Sequence, residues 1–197
     1  MSKTTSTQIG IKAGRDNIGR DKHEKTINIH KYGSRRTPIS ILNDKYLQEM
    51  QGETEIYEYI KLLMHYVDPS EDDVRGLEDK LKSALRDSNY IEDAKKYKEL
   101  FAKRLIKRDL SPSAQKIFAY LLGKLKQSFR HKILPSIKNG LDQDIIEGMI
   151  FSNVIEPIYG ELEENVLEIT WDEFIGMLYF LTGNCHLRWD WEQDANI

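Results

Sequence analysis

Residues 111–129 read SPSAQKIFAYLLGKLKQSF, a helix start followed by a long apolar stripe. Ser111 is a residue type that caps helix N-termini, and Pro112 takes the first helical position, where its missing N–H does no harm. Apolar residues then recur every three or four positions, the period of one helix face. They are Ala114, Ile117, Phe118, Leu121, Leu122, Leu125 and Phe129. So wide a stripe must pack against other helices, and we therefore predict a mainly α, helical-bundle-like fold.

The sequence before this helix shows the same period in three further segments. A helix ending near residue 68 presents Ile56, Tyr59, Ile60, Leu63 and Val67. A helix from Ser70 presents Val74, Leu77, Leu81, Ala84 and Leu85. A third, over about residues 91–107, presents Ala94, Tyr97, Phe101 and Leu105. Residues 39–50 fit either a short helix or an extended lead-in.

Helix-breaking and helix-capping residues divide the sequence after the long helix. Pro135 is expected to kink or end that helix, and Gly140 to stop any continuation. Asp142 can cap the next helix, and Pro157 interrupts that helix. The residues of this helix that we expect to face the core are Ile145, Ile146, Met149, Ile150 and Val154.

The final helix has the strongest start signal in the chain. Thr170 and Glu173 match a capping box, and the residues that follow are apolar nearly all round. Such a helix belongs in the centre of the domain or at an interface, with Gly183 as its stop. We therefore expect a helical domain over residues 40–190.

The first 39 residues differ from the rest. After a tail over residues 1–8, residues 9–32 repeat Gly-Arg-Asp and then alternate apolar and polar residues, as strands do. The repeat comprises Gly14, Arg15, Asp16, Gly19, Arg20 and Asp21, followed by Ile27 and Ile29. So short a β-like, glycine-rich segment cannot form a core alone, so it is either a flexible arm or an oligomerisation arm whose copies pack together. Its regularity favours a homo-oligomer; residues 33–39 are a linker, and residues 191–197 a second tail.

Composition excludes several classes of protein. The 197 residues carry a net charge of −3, and no apolar stretch is long enough for a bilayer span. The single cysteine, Cys185, excludes an internal disulfide framework, and the N-terminus has no apolar leader region, so we expect a cytoplasmic protein. Charge is divided sharply: residues 95–138 hold thirteen Lys/Arg against two acids, and residues 139–197 hold thirteen acids against one Arg. These opposed blocks favour docking within the fold or between protomers.

No constellation of residues indicates an enzyme, a metal or a cofactor. His65 and His131 have no second ligand at metal spacing, and the adjacent side chains of Cys185 and His186 diverge. The glycines of the repeat lack the Gly-Lys-Ser/Thr ending of a phosphate loop. The basic block could bind nucleic-acid phosphates or the acidic C-terminal part. Its candidate contacts are Lys103, Arg104, Lys107 and Arg108, which share a helix face, with Lys124 and Arg130.

The segment GMLYFLTGNCHLRW, residues 176–189, resembles the C-terminal domain of ABC-three-component proteins of bacteria. The specific part of the resemblance is its last block, which contains Gly183, Asn184, Cys185, His186 and Trp189. Weaker similarity extends over residues 40–190.

This resemblance implies a subunit of a bacterial antiviral or anti-plasmid defence system that contains an ABC or SMC-like ATPase and an effector. With only the short repeat before the domain, a nuclease module is not expected, and the family gives no catalytic residue to carry over. The expectation is a non-enzymatic assembly or docking subunit that binds the ATPase or effector and self-associates through the repeat. The alternative is a DNA-contacting subunit that uses the Lys103–Arg108 face, and a minor enzyme based on Cys185 and His186 is a third hypothesis.

Overall fold

Helices account for the regular structure of the residues that the structure describes. The structure, a computed structural model, describes residues 36–52, 60–69, 75–106 and 110–189, and no strand occurs within these ranges. In chain order the helices are α1 (Pro38–Glu49), α2 (Lys61–Val67), α3 (Leu77–Ser83), α4 (Ser88–Ile106), α5 (Pro112–Ser128), α6 (Leu134–Lys138), α7 (Gln143–Ile150), α8 (Glu156–Gly160) and α9 (Trp171–Gly183). Two π-helical turns, π1 (Phe129–Ile133) and π2 (Phe151–Ile155), lie between α5 and α6 and between α7 and α8. The predicted mainly α fold is confirmed.

The predicted start and stripe of the long helix are confirmed. The Ser111 hydroxyl accepts a hydrogen bond from the Ala114 N–H at 3.3 Å, and Pro112 follows at the first position. The apolar residues of the stripe are all buried in the core. Residues 39–50, for which sequence left two possibilities, form α1, which packs on α5. Glu49 fixes this contact by accepting hydrogen bonds from the hydroxyl and the N–H of Ser113.

Neither internal proline ends its helix. The helix that begins at Pro112 continues through Pro135 to Lys138, and the one that begins at Gln143 continues through Pro157 to Gly160. In both, a π-turn ends two residues before the proline, because a wider turn relieves the clash between the proline ring and the carbonyl four residues earlier. The carbonyl four residues before Pro157 belongs to Asn153, and it accepts from the Lys132 ammonium at 2.8 Å.

The last helix, α9, lies in the middle of the domain and packs mainly on α4. Its capping box is present as predicted, with reciprocal hydrogen bonds between Thr170 and Glu173. Gly183 is still helical, however, so its predicted role as the stop is wrong. The left-handed position that ends α9 belongs to Cys185, with φ 65°. The His186 N–H donates to Leu181 O at 2.8 Å and the Cys185 N–H to Thr182 O at 3.2 Å, which is a Schellman motif.

Two residues that were predicted to face the core do not. Leu85 occupies the left-handed position of a second Schellman ending, after α3, which turns its side chain into solvent at 78% exposure. In α7 the buried residues are Ile146 and Ile150, and Ile145, about 100° around the helix from its neighbour, is exposed.

Several sequence predictions fall outside the described residues. The Gly-Arg-Asp repeat, the first residues of two predicted helices, Lys107, Arg108 and the C-terminal tail are among them. From Pro38 onward the described residues belong to one structural unit. Across the described ranges, no helix has the length and apolar character needed to cross a membrane.

Candidate anion-binding cleft

A cleft of about 880 Å³ opens between the helix that runs through π1 and the segment that follows α9. The helix contributes the side chains of Lys126, Phe129, Arg130, His131, Leu134, Pro135 and Lys138. The segment contributes Cys185, His186, Leu187 and Arg188. Part of the basic block and the family-like segment, which are far apart in sequence, therefore form opposite walls of one cleft.

The cleft is cationic. Its walls carry two lysines and two arginines, Lys126, Arg130, Lys138 and Arg188, and no Asp or Glu is among the described residues that line it. Clustered positive charge between low-dielectric walls attracts anions and raises their local concentration. This positive site lies in a chain whose net charge is −3.

His186 connects the two walls. Its Nδ1 lies 3.4 Å from the Lys126 Nζ, and its ring packs edge-on against Tyr66, with centroids 5.6 Å apart. Burial lowers the pKa of His186 below its usual value, and the nearby Lys126 and His65 lower this pKa further. These effects favour the neutral imidazole, whose Nδ1 can accept a hydrogen bond from the Lys126 ammonium.

The wall after α9 is held by polar side chains that point into the fold. Asn184 donates to the carbonyls of Tyr66 and Val67, at 3.1 and 3.0 Å, and so fixes the segment to the end of α2. The indole N–H of Trp189 donates to the Thr182 hydroxyl at 2.8 Å. The fully buried ammonium of Lys80 donates to the Thr182 carbonyl at 2.9 Å. Hydrogen bonds from a charged donor are the stronger kind, so the Lys80 contact is the strongest of the hydrogen bonds that hold this wall.

Cys185 and Gly183 have structural surroundings. The Cys185 thiol lies 3.7 Å from the Arg75 carbonyl oxygen, and its backbone forms the left-handed end of α9. Lys98 lies directly over Gly183, where a Cβ atom would stand 2.4 Å from the ammonium nitrogen. Burial lowers the pKa of Lys98, the proximity of Cys185 opposes that shift, and Lys80 reinforces it.

The structure separates the basic residues that the sequence grouped together. Arg130 lines the cleft. Lys103 pairs with Glu99 one helical turn away, at 2.8 Å. Arg104 turns inward, where it donates to the Leu167 carbonyl at 2.6 Å and approaches the Glu173 carboxylate at 3.9 Å.

Lys124 also leaves the predicted group, because it forms an ion pair with Glu161. With Arg104, it shows that part of the basic block meets the acidic C-terminal part inside the fold. Of the five family-like residues, Cys185 and His186 line the cleft, and Asn184 and Trp189 form hydrogen bonds that hold the backbone behind them, next to Gly183.

Sequence reasoning did not group Lys138 and Arg188 with the cleft. In a regular helix each step of four residues drifts about 40°, so residues 126, 130 and 138 spread over roughly a third of the circumference. The wider π1 turn reverses part of this drift and keeps the three on one side. A sequence signal was present, since Phe-x-x-x-Ile-x-Pro occurs at Phe129 and again at Phe151, and both copies form π-turns.

The arrangement provides a site for binding anions. Within the described part of the chain, no three His, Cys, Asp or Glu side chains are placed to hold a metal ion. The accessible chemistry of the cleft is that of ammonium and guanidinium groups, which bind carboxylates and phosphates through charge-assisted hydrogen bonds.

The region that contains the cleft matches a known protein family. The family model described as C-terminal domain 9 of the ABC-three component (ABC-3C) systems matches residues 76–189, more than half of the chain. The match contains both walls of the cleft. No curated protein and no solved structure matches the chain.

Proposed function

This chain belongs to the C-terminal domain 9 family of the ABC-three-component systems, and from that premise we propose that it is a non-enzymatic assembly subunit of such a system. It acts in the cytoplasm in antiviral defence, docks another protein of its system and self-associates through the N-terminal repeat. The observation that supports docking is the cationic cleft, whose walls both lie in the family region.

The geometry of the cleft favours an acidic protein segment as the docked partner. The cations lie on both walls, so the carboxylates of an extended acidic peptide could pair with either wall. The partner is the ABC or SMC-like ATPase, or the effector, of the same system.

Copurification tests this function. The chain is coexpressed with the other components of its system, either as the wild type or as the variant Lys126→Glu/Arg130→Glu. We expect the charge reversal to reduce recovery of the bound component at least tenfold, because it places like charge opposite the acidic segment. The complex of the wild type should also weaken as salt is raised.

The matched control is Lys82→Glu/Lys96→Glu, which makes the same change in net charge at two exposed lysines outside the cleft. It should leave recovery within about twofold of the wild type, in keeping with the small value of surface ion pairs. Equal recovery with the cleft variant and the wild type would contradict docking in the cleft.

A DNA-contacting role is the second candidate, and for it we propose the cleft rather than the Lys103–Arg108 face. Arg104 is turned into the fold, whereas Lys126 and Arg130 lie on a cleft wall. Against this role, the Phe129 ring that lines the cleft is only 1% exposed, so it offers no free face on which a base could stack. An oligonucleotide is therefore included in the binding experiment below.

A further inference from the structure

Residues 190–197, which follow the last described residue, have an acidic composition that is complementary to the cationic cleft. Residues 190–197 read DWEQDANI, with acids at Asp190, Glu192 and Asp194 and no cation. We propose that this acidic tail occupies the cationic cleft of its own chain. Binding of the tail to the cleft is independent of the proposed function. Competition between the tail and a docked partner rests on the proposed function.

The spacing of charge agrees between tail and cleft. The three acids stand at alternate positions, and in an extended chain alternate side chains point the same way about 6.6–7 Å apart. Lys126 and Arg130 are four residues apart on a helix, which separates them by about 6 Å along its axis. Successive carboxylates of the tail can therefore meet successive cations of the helical wall.

The tail also begins at the right place. Arg188 is part of the cleft wall, and Trp189, the last described residue, is held in the core by its hydrogen bond to Thr182. Asp190 is thus next to a fixed point at the cleft. Eight residues reach up to about 26 Å, more than the roughly 18 Å of helix between Lys126 and Lys138. No large rearrangement of the described domain is needed to bring the tail into the cleft.

Attachment to the same chain makes the tail an effective competitor. A short flexible connection gives a tethered ligand an effective concentration in the millimolar range. A free segment with a dissociation constant near 0.1 mM would therefore bind about tenfold more weakly while the tail is in place. A partner must supply either more contacts or a higher local concentration to displace it. The proposed consequence is that docking is restricted to partners that are held nearby.

The experiment measures binding of a fluorescein-labelled, N-acetylated peptide with the sequence of residues 190–197, by fluorescence anisotropy at low salt. The full chain is compared with the full-length variant Asp190→Asn/Glu192→Gln/Asp194→Asn, whose tail is neutral. We expect the neutral-tail variant to bind the peptide about tenfold more tightly than the wild type. Equal affinities for the two would overturn the proposal.

Further variants of the neutral-tail protein locate the binding. Adding Lys126→Glu/Arg130→Glu should abolish peptide binding, and adding Lys82→Glu/Lys96→Glu should leave it within twofold. Binding that survives the cleft change would overturn the proposal. The peptide affinity of the wild type is also measured at decreasing protein concentration. If it then approaches the peptide affinity of the neutral-tail variant, the tail binds the cleft of a neighbouring copy, and the single-chain claim is overturned.

Two other results separate the possible explanations. A labelled single-stranded oligonucleotide that binds the neutral-tail variant more tightly than the peptide does would assign the cleft to phosphates and overturn the carboxylate assignment. If neutralising the tail has no effect but Lys126→Glu/Arg130→Glu still disrupts copurification, the tail proposal fails and the proposed function stands. If the peptide results are as expected and copurification is unaffected, the proposed function fails and the tail proposal stands.

Discussion

At the residue scale, Thr182 connects the core to the wall of the cleft. Its hydroxyl accepts from the Trp189 indole at 2.8 Å and donates to the Leu178 carbonyl at 2.9 Å. Its own carbonyl accepts from the buried Lys80 ammonium. Trp189 packs between Phe129 and Tyr179, at centroid distances of 5.2 and 6.2 Å. The Thr182 hydroxyl is therefore the hydrogen-bond partner of the only polar atom in the buried Trp189 indole. That indole packs against Phe129 and so supports the helical wall of the cleft from behind.

Replacing this hydroxyl should be costly although the shape is kept. In Thr182→Val the Trp189 N–H remains buried without its partner, and we expect a loss of about 1–3 kcal/mol in the free energy of unfolding. Urea denaturation followed by circular dichroism measures it. Thr182→Ser keeps the hydroxyl and loses only a methyl group, so it should cost less. Valine and serine variants of equal stability would show that the indole hydrogen bond contributes little.

At the element scale, the contact between α9 and α4 depends on a missing side chain. A Cβ atom at Gly176 would lie 2.2 Å from the Tyr97 carbonyl oxygen and 3.1 Å from the Phe101 Cβ. The first of these neighbours is helix backbone, which cannot move aside as the end of a long side chain could. A glycine normally weakens the helix that contains it. The close approach between α9 and the backbone of α4 explains why α9 nevertheless has a glycine at position 176.

Glycine substitutions in two helices should therefore act in opposite directions. Gly176→Ala forces α9 and α4 apart, and we expect it to destabilise the protein by about 2–3 kcal/mol or more. Gly148→Ala in α7 meets nothing within 4 Å and should stabilise the protein by up to about 1 kcal/mol, because alanine favours the helix. Thermal and urea unfolding of the two variants provide the comparison. Similar effects of both substitutions would contradict the close approach.

The elements also show what sequence can and cannot predict. The stripe of α5, its Ser111 cap and the capping box at Thr170 were predictable because each is a local pattern with one physical explanation. The continuation through Pro135 was not, because the effect of a proline depends on whether the preceding turn can widen. The exposure of Leu85 was not predictable either, since periodicity continues past the point where a Schellman ending reverses the chain. The full cleft depends on both features, the π1 turn and the segment that follows a Schellman ending.

At the scale of the whole molecule, the two opposed charge blocks are partly neutralised inside the fold. Arg104 with Glu173 and Lys124 with Glu161 join the basic block to the acidic C-terminal part. Lys126 and Arg130, from the same basic block, line the cleft. The charge asymmetry of the sequence therefore has two uses: some cations hold the domain together, and others form a surface for an anionic ligand. Sequence alone could count these charges but could not divide them, because the division depends on which side of each helix faces the core.

Self-association is the property of the whole chain that the N-terminal repeat predicts. The repeat over residues 9–32 is too short to form a core alone, and the alternating Ile27 and Ile29 give it one apolar side. Copies that pack these sides together would shield them from water and pair their exposed strand edges. We therefore expect the full chain, with a protomer mass of 23.0 kDa, to form an oligomer, and a chain that lacks residues 1–36 to be a monomer.

Light scattering coupled to size exclusion measures both masses, at matched protein concentrations. The full-length variant Ile27→Asp/Ile29→Asp keeps the chain length and should also be monomeric, because each aspartate would have to be buried at the contact between copies. A monomeric full chain would contradict self-association. An oligomer that persists without residues 1–36 would place the contact in the helical domain. Since the repeat and the cleft lie in separate segments, none of these variants should alter peptide binding to the neutral-tail cleft, so assembly and docking can be tested independently.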